Sequence, residues 1–470
     1  MKQFINHQKT KVFVIFFVCC FAATFSQAQD ITGEWNGILR APGMNLRIVI
    51  HIDKTGEGYT STMDSPDQKA TGIPVTATTF ADSKLSLSIA GIGVTYEGEF
   101  KTDSIVGLFK QSGLSMPLTL KRDAVEVKPV IRPQEPKLPY PYKSEDVTFE
   151  NKAAGITLAG TLTMPSTGDN FTAAILISGS GLQNRDSELF GHKPFLLIAD
   201  YLTQRGIAVL RFDDRGAGQS TGDPRTSTTA DFATDVESAI AYLKSRKEIN
   251  PQKIGLIGHS EGGVIAPMVA TRSSDIGFIV MLAGTGLRGD VLLLKQTRLI
   301  TEASGMSKDY IAQVEKFNSK IYDKIVRTDG AVSLQEMTSF LTTLKDEIAD
   351  IIPAGTPVDD FIKNTATSMA SPWIQYFLRY DPAPALEKVQ CPVLAVNGGK
   401  DIQVPAKENL TAIGEALKKG GNNRVTIKEY PGLNHLFQEC TTGLPAEYAT
   451  IEQTFSPVVL KDITDWILKN

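Results

Sequence analysis

The stretch Ile254-Gly255-Leu256-Ile257-Gly258-His259-Ser260-Glu261-Gly262-Gly263 decides how the rest of the chain is read. Residues 254–257 are a short apolar run, as a strand covered on both faces requires, and residues 264–270 can be helical. A nucleophile on a tight strand-to-helix turn needs small residues two before and two after it, because the backbone bends too sharply there for side chains. Gly258 and Gly262 occupy those two places, which makes Ser260 the candidate nucleophile. In a chain with 39 glycines such a pentapeptide arises easily by chance; its weight comes from the strand before it and the helix after it.

Working outward, residues 173–178, 207–212, 278–282 and 393–396 repeat the same apolar texture, and 425–430 reads as a last strand. Between them Phe232, Val236, Ile240 and Leu243 recur at helical spacing, and 454–468 closes the chain similarly. Alternating strands and helices specify an α/β fold: a mostly parallel sheet with helices on both faces. One connection, about 287–388, leaves this rhythm, and structureless loops beyond ~15 residues are uncommon in compact domains. It carries two helical stripes, Tyr310, Val314, Phe317, Ile321 and Ile325, then Phe340, Leu344, Ile348 and Ile351. The expectation is a helical insertion acting as a lid.

A serine hydroxyl is a poor nucleophile until a base takes its proton, and histidine is the usual base near neutral pH. The chain has five histidines. His7 lies in a leader, His51 in an N-terminal β-region, His192 reads as a surface residue at a helix start with an edge of the pocket as its alternative place, and the His259 side chain is not expected to reach its neighbour Ser260. His435 remains, in a glycine-bearing loop between the last strand and the last helix. The base needs a carboxylate to hold its tautomer, and Asp401, in the turn after strand 393–396, stands where such an acid belongs. Oxyanion donors are expected from the backbone N–H of Glu261 and from Ser180, with Gly181 as the near alternative, in the loop Ser178-Gly179-Ser180-Gly181-Leu182. The Glu261 carboxylate itself reads as an ordinary helix-first-turn acid. Arg185 and Asp186 are expected to pair with each other or with the Asp214-Arg215 turn and brace the oxyanion loop.

The N-terminal third differs. Residues 1–28 hold Lys2, Lys9 and Lys11, an apolar run over 12–25, and Ser26-Gln27-Ala28, the pattern of a cleaved signal peptide; the run is short of the ~20 residues that span a bilayer. An exported protein, periplasmic or extracellular, with no stable membrane anchor after cleavage, is expected. From 30 to 125 alternating residues such as Leu46, Ile48 and Ile50, or Leu85, Leu87 and Ile89, specify a small all-β domain, barrel or sandwich, with Trp35 closing one end. Prolines 129, 133, 136, 139 and 141 make 126–144 a semi-rigid linker, and 145–470 is the α/β domain.

The length, 470 residues against roughly 100–200 per domain, is ample for this division. With 42% hydrophobic and 21% charged residues the chain is neither disordered nor fibrous, and a net charge of −4 offers no basic face for nucleic acid. Cys19 and Cys20 belong to the leader. Cys391 and Cys440 sit at opposite ends of the expected sheet, too far apart for a disulfide, so two free thiols are expected. No metal or organic cofactor is called for: histidines and cysteines show no zinc spacing.

From about Glu145 onward the chain resembles the bacterial α/β hydrolases of the esterase D type, related to serine-aminopeptidase-like hydrolases. The resemblance rests on Gly179-Ser180-Gly181 followed by Asn184-Arg185-Asp186, on Asp213-Asp214-Arg215-Gly216 with Gly218 and Ser220, and on Gly258 to Gly263. It continues in Ser371-Pro372-Trp373, Phe377 and Tyr380-Asp381-Pro382, in Asn397 to Pro405, and in His435. It implies an α/β-hydrolase fold, carboxylesterase activity on short- or medium-chain acyl esters, and the triad Ser260, Asp401, His435, whose chain order is that of this fold. Leu182 stands where relatives often place proline. The expected partner is a small-molecule or carbohydrate ester substrate. A serine aminopeptidase, or a glycan- or partner-binding protein with a vestigial hydrolase half, are the competing readings.

Overall fold

The computed structural model describes residues 30–41, 44–56, 58–68, 70–111, 114–124, 132–273, 275–352 and 356–470. The expected signal peptide and the first part of the expected linker lie outside these residues.

Residues 33–121 form one nine-stranded antiparallel sheet. Its first strand, Gly33–Ala41, also pairs with its last, Leu114–Lys121. The edge strand Ala77–Ala81 comes round to the first half of the strand Gly58–Ser65, where Val75 N donates to Ser61 O at 3.1 Å and the Ser61 and Thr78 hydroxyls meet at 2.5 Å. The result is a barrel and not a sandwich. Alternation along the strands fills the interior with Ile48, Ile50, Leu85, Leu87, Tyr96 and Leu118. Trp35 is buried, donates from Nε1 to Ile31 O at 2.8 Å, and is covered by the Arg122 guanidinium 3.9 Å from its ring centre.

The α/β part has eight strands: β1 Lys143–Asn151, β2 Ile156–Met164, β3 Phe171–Ile177, β4 Ala208–Phe212, β5 Ile249–His259, β6 Ile276–Leu282, β7 Val393–Gly398 and β8 Val425–Tyr430. Their spatial order is 1-2-4-3-5-6-7-8. β1 and β2 are an antiparallel hairpin, and β2 lies antiparallel to β4, whereas every pair from β4 to β8 is parallel. The hairpin had no counterpart in the apolar-run reading, because β1 buries few residues and alternates with polar ones.

Helices α1 Pro194–Thr203, α2 Thr229–Lys244 and α3 Gly262–Ala270 follow β3, β4 and β5. Between β6 and β7 stand α4 Gly289–Ala303, α5 Lys308–Arg327, α6 Leu334–Thr343, α7 Lys345–Ile348, α8 Val358–Met369, α9 Pro372–Arg379 and α10 Ala383–Leu386. α11 Ala406–Lys419 and α12 Pro457–Lys469 complete the set. Val236, Ile265 and Ile413 cover one face of the sheet; Ile198, Val459 and Ile463 cover the other. Burying such a side chain contributes about 1.5–3 kcal/mol, which is why both faces need helices.

The insertion has a core of its own, with Ile321, Ile325, Met337, Leu341 and Ile348. Its first stripe is the single helix α5. The second is broken: α6 ends at Thr343 and α7 restarts after Leu344, whose φ of −97° and ψ of 8° leave the helical region. Cys391 and Cys440 are free. Among the described residues no helix is long and apolar enough to cross a membrane.

Candidate active site

β5 runs into α3 through the turn at Ser260, which adopts φ +53°. That left-handed conformation is costly for a residue with a Cβ and persists only where the surroundings over-determine it. They do so here. A Cβ on Gly258 would lie 2.0 Å from Gly262 O, and one on Gly262 would lie 2.3 Å from Ile177 O, so the turn closes only with glycine at both places. Ser260 N donates to Leu282 O at 2.8 Å, which pins the turn to β6.

Asp401 and His435 come from loops after β7 and β8. The loops touch at Gly398, where a Cβ would meet Leu433 O at 2.2 Å, and Lys400 N donates to Leu433 O at 2.9 Å. Asp401 is buried; its Oδ1 accepts from Gln403 N and Val404 N, both at 2.8 Å, and its Oδ2 meets His435 Nδ1 at 2.7 Å. With Asp401 ionised, Nδ1 carries the ring proton and Nε2 is left basic. Asn434 folds the histidine loop: its Oδ1 accepts from Leu436 N at 3.0 Å and Gln438 N at 2.9 Å.

Ser260 and His435 border one cavity of about 380 Å³. No hydrogen bond joins the Ser260 hydroxyl to His435 among the described residues, and such pairs commonly close only around a substrate. Ser180 borders the same cavity, whereas Gly181 borders a small separate void behind the loop. The backbone N–H groups of Ser180 and Glu261 have no hydrogen-bond acceptor among the described residues. A serine hydroxyl and an imidazole on one cavity, with two unengaged N–H donors at hand, form an arrangement that can carry acyl transfer.

The His259 ring turns to the histidine loop and not to the adjacent Ser260 hydroxyl: Nε2 donates to the His435 carbonyl at 3.0 Å, and the two rings lie 4.8 Å apart. Burial and the nearby His435 push its pKa down to about 3, so it stays neutral. Three sequence expectations are corrected. His192 is buried and not a surface residue, its ring held between Thr454 Oγ1 at 3.0 Å and Tyr448 O at 2.9 Å. Glu261 is also buried; its Oε1 accepts from Thr229 Oγ1 at 2.7 Å and Trp373 Nε1 at 2.9 Å, and burial pushes its pKa up. Arg185 and Asp186 do not pair with each other. Arg185 chelates Asp213, with Nη2 to Oδ2 at 2.8 Å, and Asp186 pairs with Arg211.

Behind the loop 178–183 lies Asp214, which binds both ends of it: Oδ1 accepts from Ser178 Oγ at 2.5 Å and Oδ2 from Gln183 N at 3.0 Å. Of the insertion's aromatics, Trp373 and Phe377 border the cavity, while Tyr376 and Tyr380 pack against the sheet's core. Sequence reasoning missed Asn434, Thr229 and the indole of Trp373. Asn434 alone had a local signal, as an asparagine one residue before the histidine in a glycine loop.

Residues 193–335 match the family model described as serine aminopeptidase, S33. The protein YfhR of Escherichia coli O157:H7 is 35% identical over 230 residues, 47% of this chain and 76% of its own length. The chain belongs to the serine-aminopeptidase-like α/β hydrolases. It is an enzyme, a hydrolase of the esterase type. Esterase EstD of Thermotoga maritima is 26% identical to it over 387 residues, 81% of this chain and 83% of that protein. That span exceeds everything after residue 145, so it extends into the hydrolase's N-terminal regions. Among solved structures, the Pyrococcus furiosus esterase Pf2001 aligns over 70% of this chain and 93% of its own at 14% identity, with a TM-score of 0.42.

Proposed function

We propose that the protein is an exported serine carboxylesterase acting on neutral, short- to medium-chain acyl esters, with the insertion as a lid over the acyl group. One observation carries the substrate reading. Among the described residues, the cavity beside Ser260 is bordered by Leu292, Leu293, Trp373, Phe377 and Val404 among others, and by no Asp, Glu, Lys or Arg. An aminopeptidase must hold a free α-ammonium, and an unpaired charge in such a pocket is strongly disfavoured. Export is supported by the charge and apolar pattern of residues 1–28.

In the proposed reaction His435 Nε2 takes the hydroxyl proton as Ser260 Oγ attacks the ester carbonyl, and Asp401 stabilises the imidazolium. The N–H groups of Glu261 and Ser180 bind the oxyanion. Collapse expels the alcohol, which receives the proton from His435, and leaves an acyl-serine. Water, deprotonated by the same imidazole, then releases the acid and restores the serine.

The test compares p-nitrophenyl acyl esters with aminoacyl nitroanilides for the wild type and Ser260→Ala. Ester turnover that falls by about 10⁴-fold or more in the variant, with negligible anilide turnover, is expected. Anilide-only turnover, or an active variant, overturns the reading.

A further inference from the structure

The cavity has two sides. The insertion supplies one. The other is built from two segments with almost no regular structure: residues 187–194, including Leu189, Phe190 and His192, and residues 445–454, including Tyr448 and Thr454. The hydrogen bonds that hold irregular backbone in place must come from elsewhere.

They come from the end of the proline-rich linker. Arg132 directs its guanidinium at three backbone carbonyls, Nη1 to Ile451 O at 2.5 Å, and Nη2 to Phe190 O at 2.8 Å and Ala449 O at 3.2 Å. One planar group thereby joins both wall segments, a use that needs the fixed fork of arginine. Gln134 adds three bonds at the end of the second segment: Oε1 accepts from Thr454 N at 2.6 Å, and the next residue, Phe455, is held through its N at 3.1 Å and through its O, which accepts from Nε2 at 2.8 Å. Glu135 meets Lys193 Nζ at 2.6 Å on the first segment. Between the walls themselves stands His192, bonded to Thr454 and Tyr448, and burial pushes its pKa down. None of the three linker residues borders the cavity.

We propose that Arg132 and Gln134 are specificity-determining positioning residues: the linker is a clamp that sets the shape of the cavity wall opposite the insertion. It acts on the substrate site from outside, through the wall segments it holds, and is more than a spacer to the barrel. This rests on the cavity being where the ester binds. Substrates too small to touch the wall do not sense the clamp; substrates that fill the cavity do.

The experiment uses the full chain, with p-nitrophenyl acetate, butyrate, hexanoate and octanoate as probes, for the wild type, Arg132→Ala, Arg132→Lys, Gln134→Ala and Ser260→Ala. Arg132→Ala and Gln134→Ala are expected to keep kcat/KM for acetate within about twofold. For the best longer ester kcat/KM should fall tenfold or more through KM, flattening the chain-length profile, with Arg132→Lys recovering part of the loss because it still donates to one carbonyl. If Arg132→Ala does not fold, Gln134→Ala carries the test. An unchanged profile in the folded variants, or a parallel fall for every ester including acetate, overturns the proposal. An active Ser260→Ala overturns instead the reading of the site beneath it.

Discussion

The indole Nε1 of Trp373 donates to the Glu261 carboxylate at 2.9 Å, joining the turn that carries Ser260 to a helix of the insertion 112 residues further along the chain. The same carboxylate oxygen accepts from Thr229 of α2. One buried acid thus ties three elements together, and burial favours its neutral form.

Glu261→Gln keeps a carbonyl oxygen for both donors and is expected to fold with near wild-type stability and activity. Glu261→Ala strands a buried indole N–H and a hydroxyl, and should cost about 1–3 kcal/mol in denaturant unfolding with a lower kcat. Equal stability of the two variants would show that the junction contributes nothing.

At the turn itself the geometry leaves no space. Gly262→Ala should unfold the protein or destabilise it by about 3 kcal/mol or more, since the new methyl would stand 2.3 Å from Ile177 O. Gly432→Ala, where nothing lies within 4 Å of the added carbon, should stay within about 0.5 kcal/mol of the wild type in the same urea titration.

Much of this was legible beforehand, for local reasons. The parallel strands are nearly continuous apolar runs because both faces are covered, and the turn at Ser260 needs glycines at fixed offsets. Asp401 and His435 follow the last two strands, where the fold puts the carboxyl edge of the sheet. What could not be read depends on segments far apart in the chain. Glu261 meets Thr229 and Trp373, and His192 meets Tyr448, only through tertiary packing; a buried histidine and a surface one have the same neighbours in sequence. Arg132 lies in a proline-rich stretch whose composition describes a spacer, while its function as a bracket depends on carbonyls more than three hundred residues away.

Asp401→Asn replaces an acceptor with an amide that no longer favours the Nδ1–H tautomer of His435. kcat should drop by about 10³–10⁴-fold while KM for p-nitrophenyl butyrate stays near the wild-type value. A loss confined to KM would contradict the role given to this pair.

Asp214 sets a pH dependence. Burial, with a contribution from Glu261, pushes its pKa up to about 7 from 3.8, against the opposing hydrogen bonds from Ser178 and Gln183. Between those two values the folded protein holds a proton that the unfolded chain has released, so this group's contribution to stability falls as pH rises toward 7. The melting temperature of the wild type relative to Asp214→Asn should therefore decline from pH 5 to pH 8. A difference that is flat, or that grows with pH, would show the carboxyl to be ionised throughout.

In the proposed reaction Ser260 is the group that becomes acylated. Treatment with a fluorophosphonate, followed by intact mass measurement and peptide mapping, tests this directly. One phosphonyl group per chain on Ser260 is expected, with activity lost in proportion to labelling and no label on folded Ser260→Ala. Full activity with Ser260 labelled, or inactivation with the label on another residue, would contradict it.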